Sequence, residues 1–314
     1  MRYLGSFIVA SSLSVSALFA QSTFCVSNDD FGQPGIIFLD SEDYPRTFLD
    51  NTTLLIEYTC ERMLLEQAPE ASPVVFMAGD ETRVSQHDGN ASGKIIGRYI
   101  LQIGKTVTKF QTEPRYKSDS VFVCTKGRLA EGKFYTQKAN YVFAHDCYYM
   151  EGRSLTFTGR LAADDFMFKE TLPRIDWVIK DSLKQVCGYP CTLAEGAFRG
   201  RIYRVWFSEE IPSSAGPWKL NGLPGLILEA EDTERQISMT AVDVREGTIG
   251  IYRPEYPYVQ ISKKDYNKLL CQLWKDPALF QVNHTSRSSV VTVLKEDRTI
   301  TSLPKIAQME TTDE

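Results

Sequence analysis

Three consecutive residues, His145, Asp146 and Cys147, carry the side chains that thiol catalysis requires. A cysteine nucleophile is activated by a neighbouring histidine base, which a carboxylate can orient. Consecutive side chains on a strand point to opposite faces, so Asp146 would point away from the other two and could not orient the imidazole. We therefore interpret Cys147 as a disulfide-bonded cysteine beside an ordinary histidine.

Carboxylates are the second group that could do chemistry. Those between residues 209 and 243 are Glu209, Glu210, Glu229, Glu231, Asp232 and Asp243. Glycoside hydrolysis needs two carboxyl groups roughly 5–10 Å apart across a cleft. The spacing in the sequence does not bring any two of them together in this way, and exposed strand faces and turns explain most of them. A hydrolase that uses Glu229, Asp232 or Asp243 is the alternative function.

Metal and cofactor sites have little support in the sequence. The three histidines, His87, His145 and His284, lack His-x-x-x-His spacing, and no Gly-x-Ser-x-Gly motif is present. The stretch 104–106, Gly-Lys-Thr, resembles the end of a phosphate-binding loop, but Tyr99 stands where the first glycine would be. We expect a hairpin turn there, and we predict neither a cofactor nor a metal ion.

Aromatic residues offer a binding surface instead. Proline and tyrosine alternate near residue 255, and two tryptophans flank a glycine-rich stretch. Rigid amphipathic rings can stack on sugars or hold an apolar ligand, although large aromatics are often buried for packing alone. The predicted ligand surface comprises Trp206, Trp218, Tyr252, Tyr256 and Tyr258.

The first 20 residues have the composition of a signal peptide, because Arg2 is followed only by uncharged, mostly apolar and small residues. Cys25 follows Ser22-Thr23-Phe24, which does not form a lipoprotein signal. No later stretch is long and apolar enough to span a membrane. The sequence therefore predicts a protein of the periplasm or one secreted beyond it.

An oxidising compartment favours disulfides. All seven cysteines follow the predicted signal peptide, so one must stay unpaired, and we expect at least two disulfides. The spacing of Cys187 and Cys191 is not that of a Cys-x-x-Cys redox motif, which favours a structural disulfide or separate partners. The disulfide candidates are Cys25, Cys60, Cys124, Cys147, Cys187 and Cys191.

Short runs of apolar and β-branched residues separated by turn residues predict a mainly β fold with an antiparallel, strongly curved or half-barrel-like sheet. The strand at 201–207 is apolar on both faces, which predicts a central strand covered on both sides. One amphipathic helix is expected after Ser262, because Tyr266, Leu269 and Leu273 share a face. No linker interrupts the chain, so a single domain over 21–304 and a flexible tail over 305–314 are predicted.

The stretch 216–232 stands at the centre of this organisation. Leu223-Pro224-Gly225-Leu226 has the residues of a type II turn, in which Gly225 would take a positive φ. Leu226 and Leu228 would then enter the core on a strand, with Ile227 packed on the other side of the sheet. The motif contains no side chain between Leu220 and Leu228 that can act as acid, base or nucleophile, so we interpret it as structural.

The hexapeptide Gly222-Leu223-Pro224-Gly225-Leu226-Ile227 resembles the motif of the GLPGLI family. Further matches are the Arg-Tyr-Trp strand at 201–207, Ile211-Pro212 and Gly216-Pro217, and the resemblance extends from Ile175 to Val244. It implies a secreted or envelope protein of Bacteroidota-type bacteria without a settled activity. The family is itself similar to the non-catalytic N-terminal domain of a secreted peptide:N-glycanase, which favours binding over catalysis.

The expected function is therefore that of a non-catalytic binding or structural module, which presents a curved β surface to a lipid, glycan or protein partner in the envelope. The chain has 35 basic and 40 acidic residues and a formal net charge of −5. Binding to nucleic acid requires a clustered positive surface, so no nucleic-acid partner is predicted.

Overall fold

A computed structural model describes residues 24–25, 36–39, 45–63, 74–78, 81–85, 94–113, 115–117, 119–120, 136–139, 146–161, 164–275 and 308–311. The predicted signal peptide lies outside these residues. Its cleavage and the export that it implies therefore stay predictions.

Most described residues belong to strands. The strands are β1 (Phe24–Cys25), β2 (Ile36–Leu39), β3 (Arg46–Asp50), β4 (Leu54–Met63), β5 (Val74–Ala78), β6 (Glu81–Ser85), β7 (Lys94–Ile103), β8 (Thr108–Thr112), β9 (Thr136–Ala139), β10 (Cys147–Glu151), β11 (Ser154–Leu161), β12 (Asp164–Thr171), β13 (Val178–Val186), β14 (Tyr189–Phe198), β15 (Arg201–Ser208), β16 (Leu226–Asp232), β17 (Ile237–Glu246), β18 (Ile251–Pro254) and β19 (Val259–Gln260). Residues 113, 115–117 and 119–120 are helical and are called α1, and α2 is Lys263–Lys275.

Twelve strands form one large sheet, in the order β13-β14-β15-β16-β17-β4-β7-β8-β10-β11-β12-β19. Every neighbouring pair is antiparallel except β12 and β19, which run parallel. The sheet is not closed into a barrel. The predicted mainly β, antiparallel fold class is confirmed, and so is the hairpin turn at 104–106, which joins β7 to β8.

The main core lies against one face of this sheet. On β15, Tyr203, Val205 and Phe207 are buried, as their alternation along the strand requires. On the opposite face Ile202 is 53% exposed, and Arg204 forms ion pairs with Glu195 and Glu231. The strand is central, as predicted, but the expectation of cover on both faces is wrong, because cross-strand ion pairs occupy the second face.

Helix α2 packs on the other half of the sheet. Ser262 caps it, since the Ser262 hydroxyl accepts a hydrogen bond from the Asp265 amide at 3.1 Å and donates one to the Asp265 carboxylate at 2.7 Å. Tyr266 contacts the rings of Phe157, Phe166 and Phe168. The predicted amphipathic helix is therefore confirmed as a helix packed on the sheet.

A buried ionic contact attaches the two-stranded sheet β3-β18 and helix α1 to the large sheet. Lys109 of β8 donates to Asp119 of α1 at 2.5 Å and to the Tyr252 carbonyl of β18 at 2.9 Å. Arg46 of β3 donates to the same carboxylate at 3.1 Å. These charges lower the pKa of Asp119 against the effect of burial, which alone would raise it.

The expectation of two disulfides is not met by the described cysteines. Cys60, Cys147, Cys187, Cys191 and Cys271 are all free, and the side chains of Cys25 and Cys124 lie outside the described residues. The thiols of Cys60 and Cys147 are buried on β4 and β10, which are not adjacent in the sheet. Cys187 is exposed in the β13–β14 turn, whereas Cys191 is buried and pairs in register with Lys184.

Part of the segment expected as a flexible tail contacts the sheet. The amide of Thr311 donates to the Arg199 carbonyl at 2.9 Å, and the Tyr203 hydroxyl donates to the Met309 carbonyl at 2.5 Å. Arg201 donates to the Gln308 carbonyl at 2.7 Å. Residues 308–311 therefore lie along one end of β15. The division of the chain into a domain and a tail stays a prediction.

Candidate functional site

The glycine-rich stretch forms a compact loop between β15 and β16, at residues 209–225, which we call the motif loop. Its two arms are hydrogen-bonded to each other, because the Gly222 amide donates to the Ser214 carbonyl at 2.9 Å. The amides of Leu226 and Ile227 donate to the carbonyls of Ile211 and Ala215, both at 3.1 Å. The loop is therefore held in one conformation by its own backbone and by the start of β16.

The predicted turn geometry at Gly225 is wrong. The glycine of this stretch with a positive φ is Gly222, at 99°, and Gly225 is not among the positive-φ residues. Gly225 is required for a different reason: a Cβ atom there would lie 2.1 Å from the Ser208 carbonyl oxygen, on the end of β15. Leu226, Ile227 and Leu228 are all fully buried, as their apolar character predicts.

The outer side of the motif loop borders a cavity of about 630 Å³, which we call the motif cavity. Residues 211–215 and Asn221 form one wall. A second wall contains residues 103–106 of the β7–β8 turn, together with Thr108. Neutral hydrogen-bonding side chains are frequent in the lining: Thr53, Thr106, Thr108, Ser213, Ser214 and Asn221. Of the described residues that line the cavity, Lys105 alone carries a charge.

Asp50 fixes the turn that forms the second wall. Its carboxylate accepts hydrogen bonds from the amides of Thr106 and Val107, at 2.6 and 3.1 Å, and from the Thr106 hydroxyl at 3.0 Å. Burial alone would raise the pKa of Asp50, but these hydrogen bonds and one from Asn51 outweigh it and lower the pKa to about 2. The turn is therefore held by a carboxylate that stays ionised down to acidic pH.

The inner side of the motif loop carries a buried ionic cluster instead. Lys219, which is 2% exposed in its side chain, lies 2.8 Å from Glu170 of β12 and 3.0 Å from Glu310. Arg199 contacts both carboxylates, at 2.8 and 3.3 Å, and Lys263 of α2 lies 3.0 Å from Glu310. We call these five residues the ionic cluster; it joins the motif loop, β12, α2 and residue 310.

Asp146 lies near this cluster. Its carboxylate accepts a hydrogen bond from the Tyr148 hydroxyl at 3.3 Å, and its Oδ1 atom is buried without a hydrogen-bond partner among the described residues. Burial raises the pKa of Asp146 to about 8, against the opposing effects of the Tyr148 hydrogen bond and of Arg62 and Lys219. The predicted separation of Asp146 from Cys147 matches this placement, whereas His145 lies outside the described residues.

The carboxylates proposed for the alternative hydrolase are engaged elsewhere. Glu229 lies 2.5 Å from Lys184, and Asp243 pairs with Arg245. Asp232 is buried, lies 2.5 Å from Arg201, and accepts the amides of Gln236 and Ile237 at 2.8 Å each. These three residues are absent from the described lining of the motif cavity. Asp232 therefore closes the β16–β17 turn.

The aromatic residues predicted as a ligand surface are dispersed. Trp218 is buried in the main core against Phe198 and Tyr203, and Trp206 lies under the ammonium group of Lys184 at 4.5 Å. Tyr252, Tyr256 and Tyr258 lie apart from them: Tyr252 on β18 contacts Phe48, and Tyr256 contacts Tyr258. None of the five is among the described residues that line the motif cavity.

Sequence reasoning missed both sides of the motif loop. A lysine between Trp218 and Leu220 is a visible signal, because a charge inside an apolar run must be paired when it is buried. The residues that pair with it, Glu170 and Glu310, are distant in sequence and carry no such signal. The hydroxyl residues of the cavity also come from separate segments, so no local pattern announces them.

The described residues give no sign of metal binding, since no three or more His, Cys, Asp or Glu residues among them are grouped as ligands. In the described part of the chain, neither helix has the length and apolar character that crossing a membrane requires.

Residues 199–229, which include the motif loop, match the family model described as "Protein of unknown function (Porph_ging)". This is a Bacteroidota-type domain family, as the sequence resemblance implied, although its name is not GLPGLI. No curated protein matches the chain.

Two solved structures of PNGF-II match part of the chain. The one in the C2 space group has a TM-score of 0.45 at 12% identity, over 71% of this chain and 33% of that chain. The one in the P21 space group has a TM-score of 0.42 at 11% identity, over 69% and 32%. The chain thus spans about a third of the length of these structures.

Proposed function

We propose that this chain is an exported cell-envelope protein of the GLPGLI type that acts as a non-catalytic binding module, and that its ligand occupies the motif cavity. The observation that carries this proposal is a cavity of about 630 Å³ that the motif loop lines together with the β7–β8 turn. That volume lies within the range of small-molecule sites, about 300–1,000 Å³.

The chemistry of the walls supports binding more than catalysis. A serine nucleophile needs a base within hydrogen-bond reach, and the described residues that line the cavity include no His, Asp or Glu beside Ser213 and Ser214. Lysine alone is ionisable there, and it stands at the tip of a turn. The hydrolase alternative loses support because Glu229, Asp232 and Asp243 are each held in ion pairs away from the cavity.

The rigidity of both walls also supports binding. The motif loop is closed by its own backbone hydrogen bonds, and the facing turn is fixed by Asp50. A site that is already ordered loses less conformational entropy when a ligand binds. Export to the periplasm or the cell surface is supported by the composition of residues 1–20. The match at 199–229 supports an envelope family of the Bacteroidota type.

Mass spectrometry of protein purified from its native envelope tests the proposal. Ser214→Trp fills the motif cavity from the side of the loop, and Thr233→Trp adds the same side chain at an exposed turn outside the cavity. We expect a small molecule or polymer fragment to co-purify with the wild type and with Thr233→Trp, and to be absent from Ser214→Trp. Retention of the same molecule by Ser214→Trp would place the site elsewhere.

A further inference from the structure

The hydrogen bonds inside the motif cavity indicate what kind of ligand it accepts. A threonine hydroxyl has one donor and two acceptor positions. The Thr53 hydroxyl donates its proton to the Ile103 carbonyl at 2.9 Å, and the Thr106 hydroxyl donates to Asp50 at 3.0 Å. Neither hydroxyl has a proton left to donate, so each oxygen can act toward a ligand only as an acceptor.

Asn221 extends this pattern. Its side-chain amide nitrogen donates to the Lys219 carbonyl at 2.8 Å, which fixes the orientation of the group. The carbonyl oxygen of the same side chain is then the part of Asn221 that can accept a proton from a ligand. The fixed acceptors of Thr53, Thr106 and Asn221 favour a ligand with O–H or N–H donors. Ser213 adds a donor, because its oxygen accepts the Ala215 amide at 3.3 Å and its proton is left to donate, so a ligand whose groups both donate and accept fits best.

The charge of the cavity narrows the choice. Lys105 is the charged residue among the described lining, and no carboxylate accompanies it. An ammonium ligand would be repelled by Lys105. The carboxylate behind the β7–β8 turn, Asp50, already accepts the amides of Thr106 and Val107 and the Thr106 hydroxyl. A purely apolar ligand would desolvate the hydroxyls without replacing their hydrogen bonds, which is unfavourable.

Apolar side chains lie between the polar ones. Leu54, Ile103, Met150 and Ile211 contribute to the lining, so the cavity offers hydrocarbon surface next to fixed acceptors. A sugar ring has the complementary surface, because its C–H groups alternate with hydroxyl donors around one compact ring. The motif cavity is partly open to solvent, and its volume of about 630 Å³ leaves room for a short chain of rings.

We infer that the motif cavity binds a neutral, hydroxyl-rich carbohydrate of a few rings. This inference rests on the proposed binding function and names the class of its ligand. The acceptors on Thr53, Thr106 and Asn221 recognise the sugar hydroxyls, and Lys105 disfavours amino sugars with a free ammonium group.

Isothermal titration calorimetry with matched trisaccharides tests whether the motif cavity binds a carbohydrate. The probes are a set of neutral trisaccharides (cellotriose, maltotriose and N,N′,N″-triacetylchitotriose), the cationic chitotriose, a neutral tripeptide, and phosphatidylcholine vesicles. We expect at least one neutral trisaccharide to bind, with affinity lost at least tenfold in Ser214→Trp and kept in Thr233→Trp. Chitotriose should bind more weakly than its acetylated form, and Lys105→Gln should narrow that difference at low salt.

The other outcomes distinguish failure of the carbohydrate assignment from failure of the proposed binding function. If the tripeptide or the vesicles bind and Ser214→Trp abolishes that binding, the cavity is a binding site but the carbohydrate assignment is overturned. If every interaction survives Ser214→Trp, or none of the probes and no envelope molecule binds the wild type, both the carbohydrate assignment and the proposed binding function are overturned.

Discussion

The two sides of the motif loop carry opposite chemistry. The outer side presents neutral hydroxyl and amide groups to a cavity, whereas the inner side inserts Lys219 into a buried cluster with two carboxylates. Within this one loop, Asn221 of the open polar surface stands two positions from Lys219 of the closed ionic cluster. Because buried charges are costly to leave unpaired, the inner side is fitted for anchoring. The outer side, without such charges, is free to take a ligand.

This contrast assigns stability to one side and binding to the other. A substitution on the inner side should mainly lower the stability of the fold. A substitution on the outer side should mainly lower the affinity for the ligand. The family match at 199–229 covers both sides of the loop, so the match alone does not separate the two roles.

The largest effect is expected from Glu170→Gln in the ionic cluster. Glu170 is the carboxylate closest to Lys219 and Arg199, both at 2.8 Å, and its loss leaves three buried cations around Glu310. We expect the free energy of unfolding in urea to fall by about 3–5 kcal/mol, the usual cost of breaking a buried ion pair.

Glu231→Gln is the matched control, because Glu231 pairs with Arg204 at 3.5 Å on the exposed face of β15 and β16. A surface pair of this kind contributes about 1 kcal/mol or less. Equal losses in the two variants would mean that the inner side does not anchor the loop.

Gly225→Ala tests the loop where it meets β15. The new Cβ would lie 2.1 Å from the Ser208 carbonyl oxygen, so the backbone must shift. Overpacking of this kind costs about 1–3 kcal/mol, measured as a lower midpoint of thermal unfolding. Gly222→Asn is the comparison. A Cβ atom there would have no neighbour closer than 3.8 Å, so the variant is strained only by the positive φ of 99°, which asparagine tolerates better than most residues do. A larger loss in Gly222→Asn would restore a turn-based role for the motif.

Asp146→Asn should alter the dependence of stability on pH. The folded protein keeps Asp146 protonated up to about pH 8, whereas the unfolded chain loses that proton near its ordinary pKa of about 4. The wild type therefore loses stability as pH rises from about 4 to about 8, because only the folded state retains the proton. Asparagine cannot ionise, so the Asp146→Asn variant does not lose this stability as the pH rises.

The wild type and Asp146→Asn should therefore have similar midpoints of thermal unfolding at pH 5. At pH 8 the midpoint of Asp146→Asn should be higher by several degrees, because each kcal/mol corresponds to about 2–4 °C in a domain of this size. The pKa of Glu170 moves the other way: burial would raise it, but Lys219, Lys263 and Arg199 lower it. Its contribution is present above its ordinary pKa and is lost as pH falls, so it does not imitate the Asp146 effect. A constant difference between the two proteins at every pH would contradict the raised pKa of the buried Asp146 carboxyl group.

The sequence was informative where local pattern decides the structure. Alternation on β15 and the Ser262 cap predict elements that the structure confirms, because strand faces and helix caps depend on residues close in the chain. The predicted positive φ at Gly225 was wrong. The Pro-Gly pair predicts a local turn, but glycine is needed at this position because the Ser208 carbonyl, which is distant in sequence, approaches too closely for a Cβ atom. The disulfides were predicted only because the expected compartment is oxidising. That argument says nothing about which strands carry the thiols or how far apart they lie.

The candidate site could not be predicted from the sequence. Thr53, Thr106 and Ser214 become neighbours of one cavity only when β4, the β7–β8 turn and the motif loop meet. Lys219 and Glu310 likewise meet only through the docking of residues 308–311. Ordinary serines and threonines give no local signal before such long-range contacts are known.

The claim that the outer side of the motif loop binds the ligand is tested most directly by hydrogen–deuterium exchange. Exchange is measured with and without a protein-free extract of the producing cell's envelope. We predict slower exchange for peptides covering 104–108 and 211–215, little change across β13 and β14, and no change in either region for Ser214→Trp. The cavity would not be the binding site if the extract left 104–108 and 211–215 unchanged in the wild type, or slowed their exchange equally in Ser214→Trp.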